Sequence, residues 1–222
     1  MTKFTCPWQR RRRPGAHRHK SGENIKAVLF DFDGTLTAPG LIDFMAIKKE
    51  INCPDNSPIL EFIAALHLAD ERCRADAVLR RYEERAARLA RPNEHAVEII
   101  RFLRDKGYKL GILTRNRLES LRTSFACLRN MVSDDFDVIV ARENVMNLKP
   151  HPEGVLIAAC SFGVLPREMA VVGDYVFDIE AGRRAGTLTV FLESDHTTRQ
   201  PDPPADFTIN KLSELRSIFG NE

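Results

Sequence analysis

The chain has 222 residues, 43% of them apolar, enough to bury one sizeable core and leave room for a small accessory domain. Its formal charge of +2 hides an asymmetry: Lys3, Arg10, Arg11, Arg12, Arg13, Arg18 and Lys20 crowd into residues 1–24 against Glu23 alone, so the remainder is mildly acidic. That balance argues against a body built to grip nucleic acid, and no apolar run reaches the length of a bilayer span.

Residues 1–24 mix Arg, Pro, Gly, His and Lys without periodicity and are expected to form a disordered basic tail. The functional alternative for Arg10–Arg13 is a weak anchor on nucleic acid or an acidic membrane surface. No apolar secretory core follows the basic start, which predicts an unexported, cytoplasmic protein. The cysteines, at 6, 53, 73, 127 and 160, are odd in number and scattered without a Cys-x-x-Cys pair, which fits a reducing compartment.

Lys26-Ala-Val-Leu-Phe-Asp31 is a short apolar run ending in a carboxylate, the pattern of a buried parallel strand that delivers a polar group at its C-terminal end. From Leu41 to Arg91 no β-rich run appears; Ala, Leu, Arg and Glu recur at helical spacing. This predicts a helical insert whose longest helix covers about Asp70–Leu89. Within it Arg80, Arg81, Arg85 and Arg88 interleave with Glu83 and Glu84, which reads as a solvated helix face. Further strands are expected at Tyr108–Leu113, Val138–Val140, Ala170–Val172 and Leu188–Leu192. Helical stretches at Glu94–Lys106, Leu118–Leu128 and Pro152–Phe162 separate them. Strand alternating with helix implies a doubly wound α/β sheet.

The sharpest chemical signal is Asp31-Phe32-Asp33-Gly34-Thr35. A turn at Gly34 can swing both carboxylates around one site, and two adjacent carboxylates invite a hard cation such as Mg²⁺. Later groups also follow strands, where open α/β sheets place their ligands. Thr114 ends the Leu110–Leu113 run with a hydroxyl suited to an anion, Lys149 sits in Leu148-Lys149-Pro150, and Gly173-Asp174 with Asp178 follows Ala170–Val172.

In that order the motifs resemble the haloacid dehalogenase-like superfamily of aspartyl phosphotransferases over about Lys26 to Asn210. Asp31-Phe-Asp33-Gly-Thr35 resembles the first motif, Thr114 the second, Lys149 the third, and Gly173-Asp174-Tyr-Val-Phe-Asp178 the fourth. The insert resembles the small helical cap of phosphoglycolate phosphatase-like members. The resemblance implies a mostly parallel, five-stranded Rossmann-like sheet in the order 5-4-1-2-3, with a core over 25–40 and 92–222 and a cap over 41–91. It further implies a phosphatase acting on a small phosphorylated metabolite, with Mg²⁺ as cofactor, no specific nucleic-acid or membrane partner, and a monomer or homodimer.

Carried over residue by residue, Asp31 is the nucleophile and Asp33 the acid and base. Thr114 and Lys149 bind and stabilise the phosphoryl group, and Asp31, the Asp33 carbonyl, Asp174 and Asp178 form the metal site. Arg115, where a small or amide side chain is common, either reaches the substrate phosphate or makes a salt bridge at the sheet rim. Leu148 stands where glycine is common.

Taken singly, each of these residues has a plainer reading: an Asp-Gly turn, an N-capping threonine, a solvated lysine, an acid complementing a helix dipole. Their joint order favours the chemical one. His67, His95, His151 and His196 fall at no mutual metal-ligand spacing. Rival functions are a phosphomutase of the same superfamily and a non-catalytic phosphoacceptor or binding protein.

Overall fold

Parallel strands covered on both faces need nearly continuous runs of apolar side chains, and such runs build the middle of this protein. The computed structural model describes residues 24–197 and 199–220. The expectation for the basic tail therefore falls, Asn24 apart, outside the described residues.

Strand β1 (Ala27–Phe30) is fully buried and lies between β2 (Lys109–Leu113) and β4 (Met169–Gly173), pairing in parallel with both. β3 (Val138–Val140) extends the sheet beyond β2, and β5 (Leu188–Leu192) extends it beyond β4. The five expected strands thus take the expected order. A sixth, β6 (Phe207–Ile209), pairs with β5 and corrects the five-strand expectation, giving β3-β2-β1-β4-β5-β6. Its three residues bury only Ile209 fully, so it has no long apolar run to announce it.

Side chains alternate across β1. Val28 and Phe30 join one apolar layer with α4 (Ala96–Asp105), α5 (Leu118–Cys127) and α8 (Leu215–Phe219), which supply Ile99, Leu103, Leu121 and Phe219. Ala27 and Leu29 join the opposite layer with α6 (Glu153–Phe162) and α7 (Val176–Ala185), through Val155, Ala159, Phe162 and Ala181.

Residues 41–91 form α1 (Phe44–Glu50), α2 (Ile59–Ala65) and α3 (Ala69–Arg88), which close around a separate apolar cluster of Ile47, Ile59, Ile63, Ala75 and Leu79. Asp43 caps α1 by accepting the Ala46 N–H at 2.9 Å. Two connections to the sheet run side by side: the Ala38 N–H donates to Arg91 O at 3.0 Å and the Asn93 N–H to Leu36 O at 2.9 Å. One sequence expectation fails inside α3. Arg80, Arg81, Arg85 and Arg88 are exposed, but Glu83 is 2% exposed because α3 packs that face on α5. Among the described residues no helix is long and apolar enough to cross a membrane.

Gly111 sits where β2 passes under α6. A Cβ there would meet Phe162 Cζ and Val138 Cγ1 at 2.7 Å and the Val138 backbone oxygen at 3.0 Å. Since the strand backbone cannot retreat cheaply, Gly111→Ala is expected to cost about 1–3 kcal/mol through overpacking. Thermal melting should show a fall of several degrees; an unchanged Tm would mean that this sheet–helix contact is looser than described.

Candidate active site at the C-terminal edge of the sheet

The chain leaves β1 still bonded to its neighbour, because the Asp31 N–H donates to Val172 O at 2.8 Å. It then turns sharply at Gly34, whose φ is +83°. A Cβ at Gly34 would lie 2.2 Å from Asp174 Oδ2, so both the backbone conformation and the space demand glycine. The turn sets Thr35 Oγ1 to donate to Asp174 Oδ1 at 3.2 Å, and Asn93 Nδ2 braces it by donating to the carbonyls of Gly34 and Thr35 at 3.1 and 3.0 Å.

Lys149 is buried and uses all three ammonium protons. They go to Asp31 Oδ1 at 2.5 Å, Asp178 Oδ1 at 2.6 Å and Leu113 O at 2.8 Å, which joins the ends of β1 and β2 to the first turn of α7. The other oxygen of Asp178 accepts the Tyr175 N–H at 3.1 Å, fixing the first turn of α7. Asp31, Asp174 and Asp178 each present a carboxylate oxygen within 4.8 Å of the others. An all-oxygen set of this kind, with one lysine among Asp31, Asp33, Asp174 and Asp178, fits a hard divalent cation.

The electrostatics follow from crowding. Burial, set against Lys149 and reinforced by Asp178, pushes the Asp31 carboxyl up to about 6. Burial, then Asp31 and Glu83, pushes Asp33 up to about 8. Asp174 is held well above the usual carboxylate range by burial and by Asp31 and Asp178. Burial opposes the Lys149 ammonium, but Asp178 and Asp31 outweigh it and hold its pKa above the ordinary lysine value.

Thr114 follows β2, is 2% exposed, and accepts the Asn116 N–H on its hydroxyl at 3.0 Å. Arg115 is engaged elsewhere than at the aspartates of the site. Its Nη2 donates to both oxygens of Glu61 on α2, at 2.7 and 2.6 Å, and its guanidinium lies 4.9 Å from the Phe177 ring centre. Neighbouring arginines make similar bridges to the helical insert: Arg117 to Asp76 at 2.5 Å, and Arg142 to the buried Glu83.

Several participants escaped the sequence. Asn116 donates to Asp33 Oδ2 at 2.7 Å, and neither this contact nor the bracing by Asn93 has a local signature. The Glu83–Arg142 pair spans 59 positions. Thr35 was visible only as the end of the first motif.

The profile of the haloacid dehalogenase-like hydrolases matches residues 28–192. An uncharacterized hydrolase of Saccharomyces cerevisiae is 33% identical over 203 residues, covering 90% of this chain and 93% of its own. A phosphoglycolate phosphatase of Aquifex aeolicus is 28% identical, covering 89% and 98%, and the pyrophosphatase PpaX of Bacillus pumilus is 29% identical, covering 88% and 97%. Among solved structures, a hydrolase from Pseudomonas syringae superposes with a TM-score of 0.71 at 22% identity, covering 87% of this chain and 96% of its own. A phosphatase from Thermococcus onnurineus gives 0.63 at 25% identity, covering 89% and 99%.

The raised carboxyls set a pH dependence. A carboxyl whose folded pKa lies above its unfolded value stabilises the fold below the unfolded value and loses that contribution as pH rises through the folded one. For Asp31 and Asp33 the window runs from the ordinary 3.8 up through about 6 and about 8. Cation-free protein is therefore expected to lose Tm between about pH 4 and pH 8, and the gain in Tm from a saturating divalent cation should grow across that window. A gain that is flat or shrinks with pH would show that the cation does not sit on these carboxylates.

Proposed function

Because this chain belongs to the haloacid dehalogenase-like hydrolase family and is a phosphatase, we propose that it hydrolyses a small phosphate monoester through a phosphorylated Asp31, with Mg²⁺ as cofactor. The observation that carries this reading is the buried Lys149 ammonium, which holds Asp31 and Asp178 together beside the end of β2.

In this reading an Asp31 oxygen attacks phosphorus, and the bond to the leaving oxygen breaks as Asp33 delivers a proton to it. Asp33, now ionised, takes a proton from water, whose oxygen attacks the phosphorus of the aspartyl-phosphate and frees Asp31. The elevated pKa of Asp33, near neutrality, supports both duties, since a group that must give and then take a proton works best there. Lys149 and Thr114 stabilise the charge spread over the phosphoryl oxygens. Asp31, the Asp33 carbonyl and Asp174 would hold the Mg²⁺. Asp178, with both oxygens already facing Lys149 and the Tyr175 N–H, orients the site from behind. Bound there, the cation neutralises phosphate charge.

The helical insert is read as a cap that excludes water and contacts the organic part of the substrate. The relatives named for phosphoglycolate and pyrophosphate support a small, strongly anionic phosphate compound as the substrate class. Arg115, tied to the cap by Glu61, serves the cap–core rim in this reading and contacts phosphate only when that bridge opens.

Asp31→Asn is expected to remove magnesium-dependent turnover of a generic aryl phosphate by several orders of magnitude while leaving the melting curve close to the parent's. Excess chelator should silence the parent reversibly. Residual activity within about tenfold of the parent would identify a different nucleophile, because losing a covalent route costs far more than about 1.4 kcal/mol.

A further inference from the structure

The second aspartate of the first motif does not stand alone. Asp33 Oδ2 accepts from Asn116 Nδ2 at 2.7 Å, across 83 positions of sequence. A side chain in the turn before α5 would ordinarily be spent on the helix N-terminus, but that duty is taken: Glu143 accepts the Leu118 N–H at 3.0 Å. The Asn116 amide is left to address Asp33.

Its backbone is fixed on both sides. The Asn116 N–H donates to Thr114 Oγ1 at 3.0 Å, and its carbonyl accepts the Arg142 N–H at 3.0 Å. Arg142 also grips the preceding peptide, donating from Nε to Arg115 O at 2.6 Å. The same guanidinium then reaches, through Nη2, the buried carboxylate of Glu83 on α3. Glu83 Oε2, Arg142 Nη1 and Arg117 Nε are buried without a hydrogen-bond partner among the described residues. The pair therefore depends on the apposition of α3 and α5: withdrawing Glu83 would strand a cation, an expensive state away from water.

We propose that Asn116 is a positioning residue that aims the Asp33 carboxylate at the leaving oxygen, and that the cap governs it through the Glu83–Arg142 pair. The inference rests on Asp33 being the acid and base. It assigns to α3 a task beyond covering the site. When Glu83 engages Arg142, the Thr114–Arg117 turn is clamped and Asn116 holds Asp33 in place. When the cap lifts, the clamp loosens and proton delivery loses its aim.

The test is a series of phosphate monoesters of graded leaving-group basicity, from nitrophenyl to simple alkyl, at saturating magnesium. Asn116→Leu keeps the approximate shape and removes the donor without adding charge beside Asp33; Asn116→Ala removes both. Each should lose at least about tenfold more kcat on alkyl than on nitrophenyl esters, since only the basic leaving group needs the proton. Glu83→Gln and Arg142→Lys should show the same bias in smaller measure. In an Asp33→Asn background, Asn116→Ala should add no further loss, as expected of two residues acting as one unit. Equal losses across the series for folded Asn116 variants, or full additivity with Asp33→Asn, would overturn the positioning role. An unbiased Glu83→Gln would overturn control by the cap. If Asp33→Asn itself lacks the leaving-group bias, the acid–base reading has failed first, and the two failures are thereby told apart.

Discussion

One buried ammonium organises this protein's chemistry. Lys149 arrives on the loop before α6, yet its three protons are spent on β1, on β2 and on the turn into α7. Strand ends that would otherwise carry mutually repelling carboxylates are held in register by it. The compensation is incomplete, because Lys149 does not contact Asp33 or Asp174, and burial, reinforced by the neighbouring carboxylates, pushes both carboxyls upward. A site with more acid than base at its centre suits a hard cation.

The interface between the helical insert and the sheet carries a second electrostatic logic. The sheet side offers Arg115, Arg117 and Arg142; the insert answers with Glu61, Asp76 and Glu83. Two of these pairs are partly exposed and individually worth little in salt. The Glu83–Arg142 pair differs, since both side chains are largely withdrawn from water and breaking it leaves a charge uncompensated. The outer pairs lie where water screens them, whereas the inner one is sealed between the insert and the sheet. Glu83 also lies close enough to raise the Asp33 carboxyl, so the insert acts on the site by charge as well as by contact.

The resemblance to other proteins has a graded reach. Superposition on the Pseudomonas syringae hydrolase at 22% identity speaks to the fold alone. The match over residues 28–192 and the yeast relative establish the family.

The sequence by itself determined the central sheet and the identity of the groups at its edge. Both follow from local rules: a strand buried on two faces must read as an uninterrupted apolar run, as Ala27–Phe30 and Met169–Gly173 do, and the polar residue that ends such a run stands at the sheet's C-terminal edge. Asp31, Thr114 and Asp174 were legible for that reason. Only the tertiary structure decided what each group touches. β6 is three residues long and draws its place from pairing with β5, Asn116 from an aspartate 83 positions away, and Glu83 from the packing of α3 on α5. On one helix an alternating run of arginine and glutamate looks the same whether it faces water or a buried guanidinium, because helical periodicity fixes which residues share a face and not what that face meets.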